Sequence, residues 1–259
     1  MLRTITATRY VTPLREGGSL PAVVEADDEG LYVMKFRGAG QGRKALIAEI
    51  IAGELARHLQ LPIPEIVLIE LDADMARTEP DPEIQHLIRE SAGLNLALDY
   101  LPGSVNYDPL VDKPDAGLAS RIVWFDAFVA NVDRTARNTN MLLWHRRLNL
   151  IDHGAALYFH HDWANAANAA NSRFVPIKDH VLLPLASEIA QVDASMAEAI
   201  TPEWVQSLVD LLPESWLIDE AGFADADEHR RAYADYLNRR VRSPRAFVEE
   251  AIHARSLQL

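Results

Sequence analysis

Asp133, Asn138 and Asp152 punctuate the stretch NVDRTARNTNMLLWHRRLNLIDHG, residues 131–154. The segment MLLWHRRLNLID reads as strand, turn, strand, with the turn near Arg146–Arg147. Folding it antiparallel brings its two ends within one inter-strand spacing, roughly 5 Å. Asn138 leads into the first strand and Asp152 closes the second, so an amide oxygen and a carboxylate arrive at the same end. These are hard oxygen ligands of the kind Mg²⁺ takes alongside substrate phosphates. Asp133, on the loop just before, is free to reach a substrate hydroxyl. One carboxylate for the nucleophile, with an amide and a second carboxylate for the metal, is the arrangement phosphoryl transfer requires. Each residue alone reads more readily as a turn or a cap, because Asp and Asn side chains bond their own backbone. The joint spacing carries the functional reading.

Such chemistry needs further parts. Lys35 lies in the middle of LYVMKFR, after a Gly-Gly turn and before a long helix, where an ammonium could reach nucleotide phosphates. A lone lysine on a strand is more often a solvent-facing edge guard. An acid on the helix should pair with it. Glu54 falls within the apolar arc of an ideal wheel and Glu49 on the polar side, so helical phase favours Glu54. The backbone of Asp99, Tyr100 and Leu101, in LALDYLPG, stands where a strand between two lobes could hydrogen-bond an adenine. Arg134 or Arg137 would stabilise the transferring group, or form a structural ion pair with the neighbouring carboxylates.

The elements that must position these groups follow from periodicity. AVVEAD (22–27) and LYVMKFR (31–37) flank a DEG turn and read as a hairpin. GRKALIAEIIAGELARHLQLP repeats its apolar residues at helical spacing and has Pro62 just past its end. PEIVLIELD and GLNLALDYLPG read as strands, and residues 73–91, polar and with two prolines, as a surface excursion. AGLASRIVWFDAFVANV reads as a buried helix, and FHHDWANAANAANSRF as a loop or weak helix. TPEWVQSLVDLLP carries a Thr201 cap and Pro202 at its first position. DADEHRRAYADYLNRRV and SPRAFVEEAIHAR are two further helices, the second capped by Ser243 and Pro244. The class is α+β: a strand-rich N-terminal lobe, residues 1–101, with an antiparallel sheet and one main helix, and a mainly helical C-terminal lobe, residues 102–259.

Composition narrows the alternatives. The chain has 259 residues, 49 % apolar and 24 % charged, and a formal net charge of −13. It shows no basic run of the kind that binds nucleic acid or an anionic membrane. It has no cysteine, which excludes disulfides, zinc thiolates and thiol catalysis. The opening residues lack the apolar core of a signal peptide, and no apolar run reaches a bilayer-spanning length. A cytoplasmic protein is expected.

Taken together, DRTARN and IDHG, with VMKF far upstream and AEIIAGELARHLQLPIPE between, resemble the HipA-like kinases, which share features with phosphatidylinositol kinases. The resemblance spans about residues 10 to 155. It implies a two-lobed protein-kinase-like fold that uses ATP and Mg²⁺ and phosphorylates a Ser or Thr hydroxyl on a protein. On the motif match, Asp133 is the catalytic Asp, Asn138 and Asp152 the metal ligands, and Lys35 the phosphate-binding lysine. The match places Glu49, rather than Glu54, at the helix acid. It makes REGGSLP the phosphate-covering loop, with Gly17, Gly18 and Ser19 at its tip. The toxin members of that family are longer, carry an extra N-terminal subdomain and pair with a DNA-binding antitoxin; nothing in this sequence demands either.

Two other classes compete. Asp152, His153, His160, His161, Asp162 and His180 are residue types that a metal-dependent hydrolase uses, although no HExxH spacing appears. A kinase-shaped module that binds nucleotide or a partner without catalysis would have the same outline. A lipid or small-molecule hydroxyl as acceptor would call for a basic amphipathic helix to hold a membrane, and none is evident.

Overall fold

A computed structural model describes residues 2–14, 20–40, 42–242 and 244–258. Gly17, Gly18 and Ser19 of the expected phosphate loop, and the expected Ser243 cap, lie outside the described residues.

Five strands, β1 (Thr4–Pro13), β2 (Ala22–Ala26), β3 (Leu31–Lys35), β4 (Ile66–Leu71) and β5 (Gly93–Asp99), close into a barrel in the order β1-β2-β3-β5-β4. Neighbours pair antiparallel except β1 and β4, which run parallel with Thr4 opposite Leu68. The expected antiparallel sheet is therefore corrected in two ways: it is closed, and its closing strand is parallel. β1 leaves little signal in the sequence because few of its residues are apolar and buried; Ile5 and Ala7 face inward while most of the strand is exposed. Strand alternation fills the barrel with Val24, Tyr32, Met34, Val67, Ile69 and Ala97. The opposite faces of β4 and β5, through Ile66, Leu96 and Leu98, pack outward with helix α1 (Arg43–His58).

Residues 73–91 are not an irregular excursion. A 3₁₀ segment, Ala73–Thr78, leads into helix α2 (Pro82–Glu90). Asp81 caps α2 by accepting the N–H of Glu83 at 3.0 Å. Pro82 occupies the first turn, where a missing N–H costs nothing, so this proline starts a helix and does not break one. Ile84 and Ile88, one turn apart, complete the barrel core. The N-terminal part thus has a second helix beside α1.

Three short strands, β6 (Val105–Asn106), β7 (Met141–Trp144) and β8 (Arg147–Leu150), form a separate antiparallel sheet. The β7–β8 turn is His145–Arg146, with φ of 49° and 63°, one residue before the expected position. Both residues are left-handed, as a type I′ hairpin turn requires, yet neither is the Asn or Gly that would advertise it. Helix α3 (Ala116–Val129), capped by Asp115, is buried over most of its length.

The remaining helices are α4 (Ala166–Ala170), α5 (Ile189–Ala199), α6 (Pro202–Val209), α7 (Glu214–Leu217), α8 (Ala226–Arg240) and α9 (Ala246–Ser256). Thr201 caps α6 as expected, accepting the N–H of Trp204 at 3.2 Å. α5 was not expected; it has no side-chain cap, and only Ile189 and Met196 are buried on it. No helix among the described residues is long and apolar enough to cross a membrane.

One core runs from α1 (Leu46, Ile50, Leu55) through α3 (Trp124, Phe125, Phe128) to α8 and α9 (Tyr233, Leu237, Phe247). α1 therefore has no solvent face along its middle: Leu46 through Gly53 are all buried. Gly53 permits this, because a Cβ there would run into Ile66 Cδ1 of β4. Arg240 of α8 ties the far side together. It is buried and donates to the carbonyls of Ala127 and Phe128 at the end of α3, and of Ala169, Ala170 and Ser172 at the end of α4. Helix C-termini carry partial negative charge, so two of them stand in for a carboxylate. Replacing Arg240 with Ala should strand these carbonyls and lower unfolding free energy by about 3 kcal/mol or more. Urea denaturation checks this, and a loss below about 1 kcal/mol would show the carbonyls to be satisfied in other ways.

Candidate active site

Lys35 ends β3, and its ammonium sits between two carboxylates. One is Glu49 of α1, in direct ion-pair contact; the other is Asp152, whose Oδ1 is 2.6 Å away. Glu49 is fully buried. Glu54 instead turns back to Arg57 on its own helix. Helical phase misjudged the pair because the supposed polar side of α1 is buried against the rest of the molecule.

Asp152 follows β8 with φ of 55°, an uncommon conformation for a residue with a side chain. Asp152 meets Lys35, while His153, the next residue, is buried edge-on to Phe125, their ring centroids 5.7 Å apart. His153 Nδ1 lies 3.6 Å from Glu49 Oε2, beyond hydrogen-bond range. Gly154 packs against the same carboxylate, with room for a Cβ only at van der Waals contact with Glu49 Oε1.

Asp133 and Asn138 meet across the loop of residues 131–140. Asn138 Nδ2 donates to Asp133 Oδ2 at 2.9 Å, which leaves the amide oxygen of Asn138 for another partner. Asn140 Nδ2 reaches the same carboxylate oxygen at 3.3 Å. The loop is joined to the Asp152 end of the hairpin by Ile151 N–H donating to Asn140 O at 3.0 Å. Arg134 Nη1 bridges the carbonyls of Asn140 and Ile151. Thus Asp133–Asn138 and Lys35–Asp152 are held on one frame.

That frame is anchored by Asp126, buried within α3. Its carboxylate accepts Arg134 Nε at 2.6 Å, Asn131 Nδ2 at 2.8 Å and His180 Nε2 at 2.9 Å. Of the two arginines in DRTARN, Arg134 is therefore the structural ion pair, and Arg137 is exposed. Asp126, Asn131 and Asn140 were not singled out from the sequence. Asp126 did leave a signal: an acid inside IVWFDAFV has to be paired if it is buried.

Electrostatics follow the burial. Desolvation opposes charge on Glu49, and the Lys35 ammonium, with His153, outweighs it and holds the carboxyl well below its usual range. Desolvation likewise opposes charge on Lys35, and Glu49 and Asp152 together raise its pKa above the usual value. Asp126 is desolvated too, and Arg134 and His180 bring its carboxyl well below the ordinary range.

The other expected residues fall as follows. Asp99 and Tyr100 commit their N–H groups to Glu65 O at 2.9 Å and Leu31 O at 3.0 Å. Among the described residues no hydrogen bond uses the N–H of Leu101. The histidines of the hydrolase reading do not converge. His153 lies at Glu49, His160 at the hydroxyl of Tyr233 (3.1 Å), and His180 at Asp126. Among the described residues no three His, Asp or Glu side chains are grouped to hold a metal. A cavity of about 230 Å³ is lined by other residues, including Arg43, Trp216, Glu220 and His229, and contains none of the groups above.

A family model described as HipA-like kinase matches residues 8–247. Among solved structures, the Golgi casein kinase with Mn/ADP bound is similar at a TM-score of 0.48 and 14 % identity, covering 99 % of this chain and 74 % of that one. A second structure of the Golgi casein kinase gives a TM-score of 0.45 and 13 % identity, covering 96 % and 72 %. No curated protein sequence matches significantly.

Breaking the buried pair by Glu49→Gln should cost about 3 kcal/mol at neutral pH. Glu54→Gln, at a mostly local pair, should cost no more than about 0.5 kcal/mol. Because the Glu49 carboxyl is depressed in the folded state, its contribution is complete above the ordinary value of 4.5 and is lost on acidification below it. The gap between wild type and E49Q should therefore narrow as the pH falls below that value. Denaturant titrations across this range check it, and a gap independent of pH would contradict the assignment.

Proposed function

The chain belongs to the HipA-like kinase family, and from that premise we propose that it transfers the γ-phosphoryl group of ATP, with Mg²⁺, to the hydroxyl of a protein Ser or Thr. The observation that carries the reading is the ammonium of Lys35 held jointly by Glu49 and Asp152, which are far apart in sequence. In this reading residues 1–101 are the nucleotide-binding lobe and residues 102–259 the catalytic lobe.

The donor set fits the proposed cofactors. Asn138 offers an amide oxygen once its nitrogen is committed to Asp133, and Asp152 offers a half-exposed carboxylate. Two hard oxygens suit a metal that takes its other ligands from phosphates and water. Bound Mg²⁺ supplies neutralisation of phosphate charge. Lys35 holds the α- and β-phosphates, with Glu49 fixing its direction. The adenine lies at the Asp99–Leu101 backbone, where the N–H of Leu101 is the donor without an internal partner among the described residues. Gly17, Gly18 and Ser19, which lie outside the described residues, are the phosphate-covering tip that the family resemblance implies.

Asp133 orients the acceptor hydroxyl and takes its proton as the new O–P bond forms. The bond between the γ-phosphorus and the bridging oxygen breaks, and that oxygen leaves with ADP. Arg137 is the arginine left to stabilise the transferring group, since Arg134 is consumed in the frame.

Incubation with γ-labelled ATP and Mg²⁺, with and without a cell lysate, tests transfer, self-modification and acceptor class together. Asp133→Ala should lower transfer by about 100-fold or more while ATP still binds. Asp152→Ala should abolish the Mg²⁺ dependence of nucleotide binding. Wild-type transfer by both variants would refute the assignment.

A further inference from the structure

The chain beyond Asp152 comes back to the 131–140 loop at His180. Thr135 and His180 form an isolated antiparallel bridge, and Val181 N–H donates to Arg134 O at 3.1 Å. His180 is buried, and its imidazole uses both edges. Leu182 N–H donates to Nδ1 at 3.0 Å, so Nδ1 carries no proton and the ring hydrogen sits on Nε2. Nε2 then donates to Asp126 Oδ2 at 2.9 Å. On the other oxygen of Asp126, Asn131 Nδ2 donates at 2.8 Å. Asn131 Oδ1 in turn accepts the N–H of Asp133 at 3.1 Å. A continuous path of hydrogen bonds thus runs from Leu182 through His180, Asp126 and Asn131 to the backbone of Asp133.

Packing alone would not select this arrangement. A phenyl ring would fill the space of the imidazole, and Arg134 already neutralises Asp126. What the histidine adds is a donor and an acceptor at fixed angle, one committed to each side of the contact. The residues on its far side are the 3₁₀ turns Val175–Asp179 and Leu183–Leu185. They pack against α3 and α9.

We propose that His180 is a positioning residue: through Asp126 and Asn131 it registers the 174–186 segment against the loop that carries Asp133, so that this segment and the proton-accepting carboxylate move as one body. The catalytic meaning of this coupling rests on the kinase reading of Asp133; the coupling itself does not.

Three variants separate the terms. H180F removes both polar edges, H180N keeps an acceptor for Leu182 N–H but falls short of Asp126, and H180Q keeps a donor near the position of Nε2. Amide hydrogen exchange on the full chain should show residues 131–140 exchanging at least tenfold faster in H180F and H180N. Protection of the barrel strands should be unchanged. H180Q should recover most of the loop protection. A merely space-filling histidine would give a loop as protected in H180N as in wild type, and that result overturns the proposal. If H180F does not fold, the contrast between H180N and H180Q decides the question alone. With γ-labelled ATP, H180N should lower kcat at least tenfold and leave the KM for ATP within twofold. Absence of transfer by the wild-type chain would refute the kinase reading, while exchange would still decide the role of His180.

Discussion

An ammonium held between two carboxylates is the constraint on which the rest of this structure depends. Lys35 comes from the barrel, Glu49 from α1 and Asp152 from the end of the β7–β8 hairpin. Withdrawing such charges from water is expensive, and the arrangement is stable only if all three arrive together. The barrel must hold β3 in register, α1 must pack on β4, and the hairpin must close within reach of both. Gly53 against Ile66 and the left-handed Asp152 are local consequences of that demand.

The same logic recurs at two further buried charges. Asp126 gathers Arg134, Asn131 and His180, and so fixes the loop between α3 and the hairpin. Arg240 gathers the carbonyl ends of α3 and α4 without any carboxylate paired to it among the described residues. Each centre draws partners from elements distant in sequence, so each acts as a tie as well as a charge. α3 takes part in both: Asp126 is one turn from its end, and Ala127 and Phe128 bind Arg240. The loop bearing Asp133 therefore leaves a helix whose last turn is held on two sides.

Legibility in the sequence tracked the range of the interaction. The Thr201 cap of α6 and the hairpin around DEG are decided by residues a few positions apart, and they were readable. The β7–β8 turn falls one residue before its expected position because His145 and Arg146 have no turn chemistry to reveal them. β1 and α5 were missed because each buries only a thin set of side chains. Two prolines in a polar stretch suggest a surface excursion over residues 73–91, whereas Pro82 begins α2. For Glu49 and Glu54 the helical wheel pointed to the wrong carboxylate, and only the family resemblance pointed to the one that meets Lys35.

The α+β class, the main helices and hairpins and the residue types able to do phosphoryl-transfer chemistry were determined by the sequence itself, because they rest on local spacing and side-chain chemistry. The tertiary structure decided which groups meet: Glu49 and not Glu54 at Lys35, Arg134 at Asp126, and His153, His160 and His180 each at a different partner. Periodicity reports which face of a helix is apolar, but not what will cover the other face. When α1 is buried all round its middle, its polar side becomes the place where charges pair, and only the assembled fold contains that information.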